Sequence, residues 1–377
     1  MERGKTKIAL LHYQPLEKYP PVINLINFLA EREESIQTWI FTTDNINRNN
    51  WYQHKSKTIA IRRSPATCES RVQRYTSHLL FFIKAFLYLV YYKPSVLVVY
   101  ETYSCLPAYA YLKMNKSVRV LMHHHEFVSD AEVQDGTKYF QFLTGIEEKL
   151  LLKAEWISQT NIDRLQLYKK RFPHISADVF RVMPNYPPLS WYYKQSSQNK
   201  IISHFVFAGA LGMESMYVRE FSEWIHSMNG AVTWNIYSNN LAKEAEQFFK
   251  ELDSPFIIFN ESVPYNQLPG ILRKYDAGVI LYKGINENQQ LSVPNKLIEY
   301  YACGLDIWCP KELVSSAAFK KEYHIDSIKM IDFKDVNSFN SNLIKEHSPS
   351  DAVFTAESEY NVMLNAILEK QQYKTFQ

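Results

Sequence analysis

Two short runs of the sequence carry residue types that do chemistry. In Met122-His123-His124-His125-Glu126-Phe127, three imidazoles and a carboxylate could ligate a metal, move a proton or hold a hydroxyl group. The apolar residues before them predict a strand, and strand side chains alternate between faces, so His123 and His125 share one side and His124 does not. No further ligand pair stands at a spacing known for zinc, so no metal is expected. In Ser292-Val293-Pro294-Asn295-Lys296-Leu297-Ile298-Glu299, Pro294 or Asn295 starts a helix that Gly304 ends. A helix start offers free amides and partial positive charge, and Lys296 adds a full charge, a combination that can hold a diphosphate without a glycine-rich loop. Glu299, one turn on, can accept hydrogen bonds from a vicinal diol such as a ribose. The same residues also suit a helix whose Lys and Glu are merely solvated.

Short apolar runs alternating with longer helical patterns must position these residues, and they predict parallel sheets built from strand-helix repeats. The alternation occurs twice. In the first half the strands are Lys7–His12, Gln37–Thr42, Thr58–Arg62, Val96–Tyr100, Val118–His123 and Trp156–Thr160, with helices at Val22–Glu31, Tyr75–Tyr92, Cys105–Met114 and Gly145–Ala154. Pro184, Pro187 and Pro188, followed by Ser-Ser-Gln-Asn, mark a connection. The second half has strands at His204–Ala208, Val232–Tyr237, Phe256–Phe259, Gly278–Tyr282 and Leu305–Cys309. Its helices fall at Met216–Met228, Leu241–Leu252, Asn266–Tyr275, Asn295–Cys303 and Val336–Lys345. The expected organisation is an α/β protein of two doubly wound Rossmann-like domains facing across a cleft, 1–186 and 201–355, with a linker at 187–200. A last helix over 356–377 aligns Tyr360, Met363, Leu364 and Ile367 for packing, with the first domain as its expected partner.

Composition narrows the function classes. The chain has 377 residues, 46% hydrophobic and 21% charged, which is globular and long enough for two domains. Only 10 are glycine, and no G-x-G-x-x-G or Walker loop can be assembled from them, so dinucleotide and P-loop enzymes are excluded. A net charge of +3 is too mild to imply nucleic acid binding. Cys68, Cys105, Cys303 and Cys309 have no paired spacing, which suits reduced thiols and a cytoplasmic location. The start from Met1 to Lys7 is polar and reads as no secretory signal. The apolar run within Tyr75–Lys93 falls short of the roughly 20 residues of a membrane span. Either it is a buried helix, or its aromatic surface meets an anionic membrane, with Arg71, Arg74, Lys84 and Lys93 at the head groups.

The run Pro-Asn-Lys-Leu-Ile-Glu-Tyr-Tyr-Ala-Cys-Gly-Leu at 294–305 closely resembles the carboxyl-terminal signature of GT-B nucleotide-sugar glycosyltransferases of the large retaining family four. Phe205-Val206-Phe207-Ala208-Gly209 is similar to the strand and turn that open that family's donor domain. Tyr275-Asp276-Ala277-Gly278-Val279-Ile280, the segment Glu148 to Asn161, and Val182-Met183-Pro184-Asn185 follow in corresponding places. The resemblance implies a GT-B fold and a donor-nucleotide site of Glu299, Lys296, Asn295, Ser292 and Gly209, with Glu299 on the ribose and Lys296 and the helix start on the diphosphate. It places His125 and Glu126 at the reacting sugar or acceptor hydroxyl. Tyr13 and Gln14, in a first turn where relatives carry glycines, become acceptor contacts or loop filler.

There are departures. Relatives carry a first glutamate eight positions before the second, and here that position is Leu291. They also place an arginine and a lysine after the first donor-domain glycine, where this chain has Ala210-Leu211-Gly212-Met213-Glu214. Lys296 and Lys283 are the substitutes in reach. The expected function is therefore a retaining, metal-independent glycosyltransferase without cofactor. It would move sugar from a nucleotide-diphosphate sugar to a glycan or lipid-linked acceptor in cell-surface polysaccharide synthesis, at the inner face of the plasma membrane. The alternative is a non-catalytic GT-B binding module in a glycan-assembly complex. An epimerase on this scaffold would require a set of carboxylates and histidines that cannot be located in the sequence.

Overall fold

A computed structural model describes residues 5–32, 35–44, 52–65, 70–193, 200–239, 241–345 and 353–374. Residues 1–4, Cys68, Glu69 and residues 194–199 of the expected linker lie outside them, as does the side chain of Arg71. The chain divides into two compact units, Met1–Asn185 with Ala356–Gln377, and Tyr186–Thr355.

The first unit is built on seven strands: β1 (Thr6–His12), β2 (Ile36–Thr43), β3 (Ile59–Ser64), β4 (Val96–Tyr100), β5 (Arg119–His124), β6 (Trp156–Gln159) and β7 (Phe180–Val182). All neighbours are parallel, in the order β3-β2-β1-β4-β5-β6-β7. Strands buried on both faces need apolar residues at every position, and β4, Val-Leu-Val-Val-Tyr, is buried throughout. Order reverses between β1 and β4, where His12 pairs with Tyr100, and open sheets of this kind bind ligands just beyond the strand ends at such a point. One face carries α1 (Pro20–Ala30) and the other carries α2 (Arg71–Tyr92), α3 (Cys105–Met114), α4 (Lys138–Leu151) and α5 (Ile162–Arg171).

The second unit repeats the design with six parallel strands: β8 (His204–Ala208), β9 (Thr233–Tyr237), β10 (Ile257–Asn260), β11 (Ala277–Val279), β12 (Asp306–Pro310) and β13 (Ile328–Ile331). Their order is β10-β9-β8-β11-β12-β13, with the reversal between β8 and β11. Labelled helices are α6 (Val218–Ser227), α7 (Lys243–Leu252), α8 (Asn295–Ala302) and α9 (Val314–Glu322). Tyr186, expected to end the first domain, and Trp191, from the expected linker, are both buried in this unit's core. Residues 336–345, expected as one helix, form a short helix at Val336–Ser341 and then pair Ile344–Lys345 with Lys200–Ile201. Strands β7 and β13 and helices α5 and α9 go beyond the elements that the sequence pattern marks.

The last helix, α10 (Ala356–Lys374), packs on α1 within the first unit and buries Tyr360, Met363, Leu364 and Ile367, each such side chain contributing about 1.5–3 kcal/mol. Polar groups fix its place. The Tyr360 hydroxyl donates to Pro21 O at 2.7 Å, and buried Arg119 donates to the carbonyls of Ile367 and Ala366 at 2.6 and 2.8 Å and to Glu155. Helix α2 is not the buried rod that its composition suggests: Phe81, Ala85 and Leu89 enter the core, while Leu79, Ile83, Leu87 and Tyr91 are exposed. No helix among the described residues is long and apolar enough to cross a membrane.

Candidate functional site

In the first unit, the strand ends at the β1/β4 reversal hold a dense polar cluster. His12 ends β1; its Nδ1 lies 2.7 Å from the Gln14 carbonyl oxygen, which can only accept, so Nδ1 carries the proton. Burial lowers His12 to about 4, so the ring is neutral, and Nε2 presents a lone pair with no partner among the described residues. His125, just past β5, has Nδ1 3.1 Å from Asn185 Oδ1, and its Nε2 is likewise unpartnered. Burial, with the nearby His12, pushes it down to about 3. Its ring stacks on Tyr100 with centroids 5.2 Å apart and stands 6.3 Å from that of His12.

The alternation read from the sequence is visible here. His123 bonds Ser158 Oγ at 2.8 Å and its ring lies 4.7 Å from that of His125. His124 instead meets Glu147 of α4 at 2.5 Å, and Thr102 donates to the second Glu147 oxygen at 2.8 Å. Burial alone would lower His124, but the hydrogen bond and charge of Glu147 outweigh it and hold the imidazole above its ordinary value. Among the described residues, no group of three or more His, Cys, Asp or Glu is arranged to hold a metal.

Glu126 is largely exposed, with its carboxylate 3.6 Å from the buried Arg164 guanidinium. Arg164 also donates to the His125 carbonyl at 2.7 Å and to Thr160 Oγ1 at 3.1 Å, fixing the turn from both ends. Glu101, the residue after β4, accepts the His125 amide at 2.6 Å. Desolvation lifts its carboxyl to about 7 against the opposing pull of His124 and of that amide. The cluster offers mainly hydrogen-bond acceptors, which suits a hydroxyl-rich ligand.

Tyr13 is placed otherwise. Its ring is buried, stacked on Tyr103 and edge-on to Phe81, and its hydroxyl lies 3.4 Å from Ser77 Oγ. Gln14 contributes its backbone carbonyl, which accepts from His12 and, at 2.7 Å, from Thr42.

In the second unit, Gly209 follows β8 at the reversal with φ +142°, a conformation that side-chain-bearing residues rarely adopt. A Cβ there would stand 2.9 Å from both Cε and Nζ of Lys296, so the missing side chain is what lets the lysine lie across the turn. Lys296 is the second residue of α8, whose N-cap is Pro294 with no capping side chain. The Leu297 amide bonds Pro294 O at 2.9 Å, while the Asn295 and Lys296 amides of the first turn have no backbone partner among the described residues. Glu299, one turn on, is buried, and burial raises its carboxyl while Lys296 and a hydrogen bond from Tyr265 oppose the rise. Gly304 has φ +77° and ends the helix.

The remaining candidates are partly engaged. Ser292 Oγ donates to Gln289 O at 2.7 Å. Lys283 Nζ lies 3.7 Å from Glu220 and 3.4 Å from the Met213 carbonyl, so its charge is already matched. Leu291 caps a short helix, Glu287–Gln290.

No protein-family model matches the chain, and no curated protein matches it. Solved structures do. Sucrose-phosphate synthase from Thermosynechococcus elongatus aligns over 99% of both chains with a TM-score of 0.67 at 13% identity. The lipopolysaccharide outer core galactosyltransferase WaaB, in its apo form, aligns over 97% of this chain and 100% of its own, with a TM-score of 0.57 at 14% identity. UDP-GlcNAc 2-epimerase from Neisseria meningitidis bound to UDP-GlcNAc gives the same coverage with a TM-score of 0.59 at 10% identity. The fold is GT-B. At these identities the GT-B likeness establishes architecture, and both candidate clusters stand at the sheet reversals of the two GT-B units.

Sequence reasoning singles out His125 and Glu126 but not the groups that hold them, Glu101, Arg164 and Asn185, nor His12 and the His124–Glu147 pair. One signal is present: a lone carboxylate directly after the apolar run Val96–Tyr100 stands where parallel sheets place functional side chains.

Proposed function

We propose that the chain is a glycosyltransferase that moves a sugar from a nucleotide-diphosphate sugar to a glycan or lipid-linked acceptor in cell-surface polysaccharide synthesis. The observation that carries the reading is the Lys296 ammonium laid across Gly209 beside the open amides of Asn295 and Lys296. This supplies fixed positive charge where a diphosphate leaving group would gather negative charge, the kind of electrostatic stabilisation that dominates many catalytic sites. Glu299 is assigned to the ribose hydroxyls, and Ser292, beside the helix start, completes the diphosphate cradle. With Lys283 matched by Glu220, Lys296 and the helix start carry most of the compensation. His125 and Glu126 are assigned to the reacting sugar or the acceptor hydroxyl. The reading is retaining and metal-independent, with the donor phosphate itself taking the acceptor proton.

A lipid-linked acceptor gives the exposed face of α2 a use. Leu79, Ile83, Leu87 and Tyr91 are exposed there, α2 contains no acidic residue, and Arg74 and Lys93 supply positive charge. This supports peripheral contact with an anionic inner membrane face. Tyr13 and Gln14 would then shape the acceptor side through a buried ring and a backbone carbonyl.

The test is release of free nucleotide from UDP-glucose, UDP-galactose, UDP-GlcNAc and GDP-mannose in the presence of a lipid-linked glycan extract. Acceptor-dependent release from one of them is expected. No release and no thermal stabilisation by any of them would favour the binding module. Nucleotide-sugar epimerisation is a second reading, favoured by the gathering of Glu101, Glu126, Glu147 and His124 in one cluster. It predicts conversion of UDP-GlcNAc with no acceptor present.

A further inference from the structure

Glu101 occupies a backbone conformation that its residue type does not favour. It has φ +58° and ψ +163°, in a region essentially reserved for glycine. Other positive-φ residues here are ordinary by comparison: Lys93 and Asp253 end helices with ψ of 60° and 47°, in the left-handed well. Glycine at position 101 would relieve the backbone, yet the chain carries one of the longer charged side chains.

What that side chain does is local. Its Oε1 accepts the His125 amide at 2.6 Å, tying the end of β4 to the turn after β5 across the β1/β4/β5 strand ends. Arg164 holds the carbonyl of the same residue at 2.7 Å, so the His125 peptide is gripped at both its amide and its carbonyl. On either side of that grip stand the unpartnered Nε2 of His125 and the exposed carboxylate of Glu126. Glu101 is itself only partly buried.

We propose that Glu101 is a positioning residue for sugar transfer: its carboxylate clamps the His125 amide and aims the imidazole and Glu126 at the reacting sugar. This rests on the transferase reading given above. The strained backbone is the means, because it turns the peptide after β4 so that a side chain from this position reaches the neighbouring strand's turn. Strain of this kind persists where the surroundings over-determine it, and misplacing a reacting group by about 1 Å can cost about a hundredfold in rate.

Three variants test the clamp, read as kcat and KM for the nucleotide sugar that the wild type turns over, with melting temperature alongside. Glu101→Gly frees the backbone but removes the clamp, and Glu101→Asp keeps the charge but withdraws it by one carbon. Both should lower kcat at least about tenfold with donor KM unchanged, and Glu101→Gly should melt no lower than wild type. Glu101→Gln keeps an acceptor oxygen at the same length and should restore most of kcat. Wild-type kcat in both Gly and Asp variants, or a Gln variant as slow as Gly, overturns the proposal while leaving transfer intact. A wild type that turns over no nucleotide sugar overturns the transferase reading, and this proposal with it.

Discussion

The ammonium of Lys296 and the backbone of Gly209 occupy adjoining space, such that a Cβ on residue 209 would lie 2.9 Å from Nζ. The pair brings the end of β8 and the start of α8 together, and each depends on the other. Replacing Gly209 by alanine forces a side chain into φ +142° and displaces the lysine. Gly209→Ala should destabilise the second unit by about 1–3 kcal/mol and weaken binding of a nucleoside diphosphate by at least about tenfold. Denaturant unfolding and calorimetric titration with UDP and GDP check the two effects separately.

Glu299 is a buried carboxylate whose opposing influences are Lys296 and the Tyr265 hydroxyl. If it holds a ribose diol, Glu299→Gln keeps one acceptor oxygen and should weaken nucleotide binding by about 1.5–3 kcal/mol, the range for a hydrogen bond to a charged group. A 2′,3′-dideoxy nucleoside diphosphate should bind the wild type and the variant equally weakly. Titration of both nucleotides against both proteins closes that cycle.

The first unit should be sensitive to acid for a traceable reason. His12 has its folded value lowered to about 4 from an ordinary 6.5, and His125 to about 3, in both cases chiefly by burial. The unfolded chain therefore binds protons that the folded one refuses between pH 6.5 and 4. Stability from these groups is present above pH 6.5 and is lost as pH falls to about 4 for His12 and about 3 for His125, against a smaller opposing gain from Glu101, whose carboxyl is raised to about 7. Melting temperature should drop across that window, and His12→Phe should flatten the slope.

The exposed face of α2, with Leu79, Ile83, Leu87 and Tyr91 open to solvent, predicts vesicle binding. Full-length protein should co-sediment with vesicles containing phosphatidylglycerol and much less with neutral phosphatidylcholine. The double change Leu79→Asp with Leu87→Asp should abolish sedimentation without moving the melting temperature by more than a few degrees, because surface substitutions seldom disturb the fold.

Much of the architecture was legible because short apolar runs such as Val96–Tyr100 and His204–Ala208 fall on parallel strands with those bounds. The Gly304 stop was legible because a helix end needs a left-handed residue. The partial exposure of α2 was not, because composition counts apolar residues without saying how many neighbours cover them. The cluster around His125 was only half legible. His125 and Glu126 sit together in sequence, but Glu101, Arg164 and Asn185 reach them from three other parts of the chain while Glu147 takes the neighbouring His124, and only the strand order β1-β4-β5-β6-β7 brings those ends side by side.

In the proposed reading, Lys296 and the start of α8 hold the diphosphate of a nucleotide donor. Calorimetric titration of UDP and GDP into the wild type and Lys296→Ala tests it most directly. Saturable binding of at least one nucleotide by the wild type is expected, with a loss of about tenfold or more, about 1.4 kcal/mol, in the variant. Equal affinity in the two proteins, or no binding of either nucleotide by the wild type, would contradict it.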